Sequence, residues 1–194
     1  MSMERLSDEQ VLAALLVGER DALAELVARY QGPLTGYLDR LVGGDWALAQ
    51  DLVQETFMRV LRQHADRGDR PFKPWLYAIA TNLARDHFKS AAVRRATRWD
   101  DHFDERLVDD AAGPEDQALA VERGADIVCA LATLGAEYRA TLALRFYNEM
   151  SLQEIAETLD VPIGTVKSRL SVGLRRLRAA MIAAARIEQG AEER

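Results

Sequence analysis

Ser151-Leu-Gln-Glu-Ile-Ala-Glu-Thr-Leu-Asp-Val-Pro-Ile-Gly-Thr-Val-Lys-Ser-Arg-Leu170 is the stretch that decides the fold. Its first four residues form a capping box, in which Ser151 and Glu154 satisfy each other's backbone N–H groups, so a helix opens there. The apolar side of that helix is Leu152, Ile155, Ala156 and Leu159, and the small Ala156 permits a close helix crossing. Asp160, Val161 and Pro162 make a turn. The following helix is expected to carry Val166, Leu170, Leu174, Leu177 and Met181 inward and Thr165, Lys167, Ser168, Arg169, Ser171, Arg175, Arg176 and Arg178 outward. No acid occurs between Asp160 and Glu188. A basic, acid-free face on the second of two short helices is what a helix-turn-helix needs to enter the major groove, where Arg and Lys meet base edges and phosphates. A merely solvated face is the alternative; the capping box, the small residue and the one-sided charge together weigh against it.

Upstream the pattern is also helical. Ser7 and Gln10 read as a capping box ahead of Val11, Leu12, Leu15 and Leu16. Leu23, Leu26, Val27 and Tyr30 share one face of a second helix; Gln31, Gly32 and Pro33 are expected to break it before Leu34, Tyr37, Leu38 and Leu41 resume, and Gly43 and Gly44 to stop it. Asp45 caps a third, with Ala49, Leu52, Val53, Phe57, Val60 and Leu61 inward. After a polar loop from Arg67 to Pro71, Trp75, Ile79, Ala80, Leu83 and Phe88 trace a fourth. No stretch alternates with period two, so the chain reads as all-α.

From Asp100 to Asp116 the composition changes: Asp100, Asp101, Asp104, Glu105, Asp109, Asp110, Glu115 and Asp116 stand against a single base, Arg106. This reads as an acidic flexible linker. Periodicity returns with Ala118, Val121, Ala125, Val128 and Leu131 and continues through Leu142, Leu144 and Phe146. The organisation expected is a helical domain over 1–92, a linker over 93–117, a second helical domain over 118–187 and a tail over 188–194.

With 194 residues, 48% of them hydrophobic, the chain can bury one medium core or two small ones. A net charge of -6 is wrong for a protein that coats nucleic acid, so DNA contacts must come from local basic faces. Cys129 is the only cysteine, which excludes an intramolecular disulfide, and its apolar neighbours suggest a buried structural thiol. The acids near the N-terminus are unlike an export signal, and the longest apolar run, Val11–Val17, is far short of the ~20 residues that span a bilayer. The expectation is a cytoplasmic protein without stable membrane insertion.

Two segments carry a resemblance. Residues 154–170 are similar to region 4 of the extracytoplasmic-function (ECF) sigma factors, which reads the promoter's minus-thirty-five element; Gly-Thr-Val-Lys-Ser-Arg is the most specific part. Pro162 stands where the family often has a Ser-like cap, which predicts a different start for the recognition helix. Asp51 to Leu61 resembles region 2.2, which docks on the clamp helices of core RNA polymerase. There Asp51, Gln54 and Glu55, with Arg59, form a polar stripe at helical spacing, suited to a basic partner helix. Phe72 to Asp86 is similar to regions 2.3 and 2.4, which open the minus-ten element and hold a flipped base. The resemblance implies Asn82 at the base-reading end, with Lys73, Tyr77, Arg85 and Lys89 as backbone or stacking contacts. At the minus-thirty-five element it implies Thr165, Lys167, Ser168, Arg169, Arg175 and Arg176.

The resemblance therefore implies a sigma factor that directs polymerase to promoters, with promoter DNA and an anti-sigma factor as further partners, and with no catalytic residues, metal or cofactor. An enzyme fares poorly on the residues themselves: His64, His87 and His102 do not fall at metal-ligand spacing, and neither a Walker loop nor a Gly-x-Ser-x-Gly elbow is present. A repressor or response-regulator output domain is the closer rival. It would not need an Asp-x-x-Gln-Glu helix followed by Phe-x-x-Trp-Leu. The acidic linker is expected to compete with DNA phosphate for the basic faces beside it.

Overall fold

The computed structural model describes residues 6–63, 67–97 and 127–192, and all regular structure among them is helical. The helices are α1 (Asp8–Leu16), α2 (Arg20–Val42), α3 (Trp46–Gln63), α4 (Phe72–Thr97), α5 (127–132), α6 (Ala136–Leu142), α7 (Leu152–Leu159) and α8 (Ile163–Glu192). A π-helical turn, Ala143–Tyr147, continues α6. The expected linker falls partly on α4, which runs on to Thr97 through the helix formers Ala91, Ala92, Arg94, Arg95 and Ala96, and otherwise outside the described residues. Ala118, Val121 and Ala125 lie outside them too. Helix α8 reaches Glu192, so it takes in most of the expected tail.

The helix ends form where their capping side chains stand. Gln10 N donates to the Ser7 hydroxyl at 3.3 Å and Ser7 N to Gln10 Oε1 at 2.9 Å; the Ser151–Glu154 pair repeats the arrangement at 3.2 and 2.7 Å. Asp45 Oδ1 accepts from Leu48 N at 2.9 Å, which starts α3. Gly43, left-handed at φ 83°, ends α2, a conformation that costs glycine nothing.

The break expected at Gln31–Pro33 is absent: α2 is continuous with Pro33 inside it. An internal proline costs a helix about 3 kcal/mol. On the far side of Pro33, however, α2 buries Leu34, Tyr37, Leu38 and Leu41, each worth about 1.5–3 kcal/mol when fully buried, so packing wins. Thr35 and Arg40 also donate to the Gln31 and Gly36 carbonyls, holding the turns around the proline.

One apolar core runs through both halves of the chain. It joins Val11, Leu26, Tyr37, Val53, Phe57, Phe72 and Leu76 to Leu144, Met150, Ile155 and Val166. Helix α7 lies on α4, and the π turn lies on α2. A smaller cluster, Leu131, Leu134 and Leu142, sits under α8, where Gly173 lets the helices close: a Cβ there would come within 3.2 Å of Leu142 Cδ1.

Three expected core positions face solvent instead. Leu174 and Met181 lie with Leu177 and Ile182 along an outer strip of α8, turned away from the face on which Gly173 meets α6, and Phe88 borders the open cavity between α4 and α6. Cys129 is also exposed, on the outer side of α5, whose buried residues are Ala130 and Leu131.

Candidate nucleic-acid interface

Helix α3 divides cleanly into two faces. Leu52, Val53, Thr56, Phe57 and Val60 are buried, which leaves Asp51 and Gln54 exposed and Glu55 and Arg59 half-exposed on the opposite side. Glu55 Oε1 accepts from Arg59 Nε at 3.4 Å, a loose surface pair one turn apart. Met58 is exposed on the same stripe, an apolar residue that the polar pattern concealed. Its position four residues after Gln54 was the available signal.

Helix α4 presents its candidate residues on two different sides. Asn82, Arg85 and Lys89 are exposed, and Arg85 Nη1 donates to Asn82 Oδ1 at 3.3 Å. Tyr77 and Lys73 face the other half of the chain. The Tyr77 side chain is buried, with its ring 5.2 Å from that of Tyr37, so it is not open for base stacking in this arrangement. Thr81 donates to the Tyr77 carbonyl at 2.7 Å, so its hydroxyl oxygen is left to accept from Tyr37, also at 2.7 Å. Burial pushes both phenols well above the ordinary tyrosine value, which keeps them neutral.

Asn148, which the sequence reading passed over, meets this buried pair. Its Nδ2 donates to the Tyr77 hydroxyl at 2.7 Å, and its backbone carbonyl accepts from Lys73 Nζ at 2.9 Å. Thr158 adds a bond to the Pro74 carbonyl at 3.3 Å. The turn that presents Asn148 is fixed by its own backbone: Asn148 N bonds to Ala143 O, Met150 N to Leu144 O, and Arg145 Nη1 to Met150 O, with Glu149 held at a positive φ of 55°. Beside it the Tyr147 ring lies directly over Gly36, with the Arg40 guanidinium 3.7 Å from the ring centroid. Glu154 is buried enough to raise its carboxyl, but the Ser151 hydrogen bonds and the Lys73 charge outweigh this and leave it below the usual carboxylate range.

The helix-turn-helix is α7 and α8. Asp160 closes α7 in the left-handed region at φ 52°, and Pro162 carbonyl accepts from Thr165 N at 2.8 Å and Val166 N at 3.2 Å. The recognition helix thus begins at Ile163 without a side-chain cap. Lys167, Ser168, Arg175 and Arg176 are exposed and Thr165 half-buried, while Arg176 lies 4.7 Å over the Tyr138 ring. Arg169 is half-buried and lines a cavity of about 640 Å³ between the halves, opposite Arg85 and Lys89. The structure therefore divides the expected DNA-contacting set: Asn82, Thr165, Lys167, Ser168, Arg175 and Arg176 remain outside, Arg85, Lys89 and Arg169 border the junction cavity, and Tyr77 and Lys73 are engaged at the junction itself.

Among the described residues no group of His, Cys, Asp and Glu could hold a metal, and no helix is long and apolar enough to cross a membrane.

Two all-helical segments ending in a basic helix-turn-helix define a class that the comparisons make explicit. Residues 26–94 match Sigma-70 region 2, and residues 130–179 match Sigma-70, region 4. The chain is 33% identical over 174 residues to the ECF RNA polymerase sigma factor SigW of Bacillus subtilis (strain 168), covering 83% of this chain and 89% of SigW. It is 31% identical over 175 residues to the ECF RNA polymerase sigma-E factor of Haemophilus influenzae, covering 86% and 91%. The solved structure of CnrH in complex with the cytosolic domain of CnrY superposes with a TM-score of 0.68 at 25% identity, covering 91% of this chain and 97% of that one. The chain belongs to the ECF RNA polymerase sigma factor family.

Proposed function

We propose that this sigma factor docks on the clamp helices of core RNA polymerase through Asp51, Gln54 and Glu55, engages the minus-ten element through α4, and reads the minus-thirty-five element with α8. The observation that carries the reading is the pairing of two outward faces of opposite character: a polar, acidic stripe on α3 suited to a basic protein partner, and the basic part of α8 before Glu188, free of acids and suited to DNA. Asn82 is assigned to a flipped base, with Lys73, Tyr77, Arg85 and Lys89 around the opened strand. Thr165, Lys167, Ser168, Arg169, Arg175 and Arg176 are assigned to the upstream element. The domain spans that go with these roles are 1–92 and 118–187. CnrH was solved in complex with the cytosolic domain of CnrY, and by that likeness this chain also has a protein partner, which we assign as an anti-sigma factor. The protein works in the cytoplasm without catalytic chemistry of its own. The test is run-off transcription with purified core polymerase on a promoter library: defined start sites are expected, and a failure to support any specific start would overturn the reading.

A further inference from the structure

Four cations line the cavity of about 640 Å³: Arg85 and Lys89 from α4, Arg139 from α6 and Arg169 from α8. Two acids share the lining, Glu137 and Asp160, and among the described residues neither forms an ion pair with any of the four. The Glu137 carboxylate is turned back over Gly135, where a Cβ would come within 3.0 Å of its Oε1, and Asp160 is exposed at the end of α7. Leu41, Leu159 and Val161 supply an apolar wall, with the exposed Phe88 at its border.

Arg139 is the group that this arrangement leaves unsatisfied. It is half-buried, its Nε is buried without a hydrogen-bond partner, and its Nη1 reaches the Ala132 carbonyl only at 3.4 Å. Burial holds the guanidinium below the ordinary arginine value, so it has lost water without gaining a counter-ion. A charge taken out of water is costly unless it is paired. Recognition of DNA does not account for it, because Arg139 lies on α6, outside both sets of residues assigned to the promoter.

We infer that the cavity is a binding site for a small phosphate monoester with an apolar body, the phosphate held by Arg139 with Arg169, Arg85 and Lys89, and the body lying against Phe88 and Leu159. A phosphate suits three guanidinium forks better than a carboxylate does, because its three terminal oxygens and its double charge can accept from several of them at once. The volume falls within the range of about 300–1,000 Å³ typical of small-molecule sites, which combine an apolar lining with a few polar groups that fix orientation.

The test uses the full chain and 1-naphthyl phosphate, followed by isothermal titration calorimetry. The comparison ligands are 1-naphthol, the body without the charge; inorganic phosphate, the charge without the body; and octyl phosphate, the aliphatic counterpart. Saturable binding of 1-naphthyl phosphate or octyl phosphate is expected, the tighter of the two showing whether the body is aromatic or aliphatic. 1-Naphthol and inorganic phosphate should each bind roughly tenfold more weakly or worse, since each forfeits one half of the recognition. Arg139→Met should lower affinity roughly tenfold or more while its thermal melt stays level or rises, because an unpaired buried cation gives way to an apolar chain. Ala136→Trp, at an exposed position on the cavity lining, keeps every charge and should abolish binding by filling the space, with far-UV circular dichroism as the folding control for both variants. No saturable binding of either ester, equal binding of 1-naphthol, or unchanged affinity in Ala136→Trp would overturn the site. A lower melt with unchanged affinity in Arg139→Met would make that residue a structural group and overturn its role in holding phosphate.

Discussion

Reversing two charges on α3, by Asp51→Lys with Glu55→Lys, separates docking from folding because the two costs differ so much in size. Asp51 is exposed, and Glu55 makes only the 3.4 Å pair with Arg59. An exposed i,i+4 pair is worth about 0.3–0.5 kcal/mol. Turning it into a like-charge pair costs a similar amount again, so the fold loses about 1 kcal/mol at most. None of the residues that hold α3 on the core, Leu52, Val53, Phe57 and Val60, is touched. Against a basic partner helix the same change places like charges face to face, a cost of several kcal/mol; about 4 kcal/mol is a thousandfold in affinity. Core binding measured by fluorescence anisotropy should therefore collapse while the thermal melt, followed by circular dichroism, moves by a few degrees. Undiminished core affinity would remove Asp51 and Glu55 from the docking surface, and a collapsed melt would show that the stripe is structural.

Replacing Lys167, Arg169, Arg175 and Arg176 together with alanine should abolish upstream selection; a single base-reading Arg should cost about 1–3 kcal/mol and relax one position, and intact selection in start-site mapping of the fourfold variant would clear this face. Asn82→Ala should leave initial promoter binding nearly normal and reduce permanganate reactivity at the downstream element, since a flipped base exists only after melting; equal reactivity would remove it from the site. The Glu154 carboxyl is held below its usual range by the Ser151 bonds and by Lys73, so its stabilisation is complete above the ordinary Glu value and is lost as pH falls through the depressed one. Acid melts should show Glu154→Gln losing less stability than wild type below that ordinary value, and parallel curves would contradict the assignment. Neutralising the acids between Asp100 and Asp116 should raise the affinity of free protein for DNA chiefly at low salt, where screening is weakest; superimposable salt titrations would make that segment only a spacer.

Local signals in this chain were strong where a side chain meets its own backbone. The Ser7, Asp45 and Ser151 caps, the Gly43 stop and the Asp160–Pro162 turn each depend on a few neighbouring residues, so all of them could be read before folding. Pro33 misled because its penalty is local while the burial that overrides it is not. Leu174, Met181 and Cys129 misled for the opposite reason: helical spacing says which residues share a face, but only the neighbouring helices decide whether that face is covered. Tyr77 shows the limit most clearly. The resemblance of its segment implies a DNA contact, and nothing in the sequence near it announces Asn148, seventy-one positions away.

The junction between the halves is held by contacts of unequal strength. Helix α7 lies on α4 with apolar residues, which supply the attraction, whereas the polar contacts are few. A net hydrogen bond is worth about 0.5–1.5 kcal/mol, and a cation over an exposed ring about 0.5–1 kcal/mol. Asn148 Oδ1, buried and without a hydrogen-bond partner, works against closure, and Arg139 is held by burial below its ordinary value at the same junction. Asn148→Ala strands the buried Tyr77 hydroxyl, at about 1–3 kcal/mol, so its thermal melt should fall by several degrees, and a melt that superimposes on wild type would show that this bond does not hold the junction.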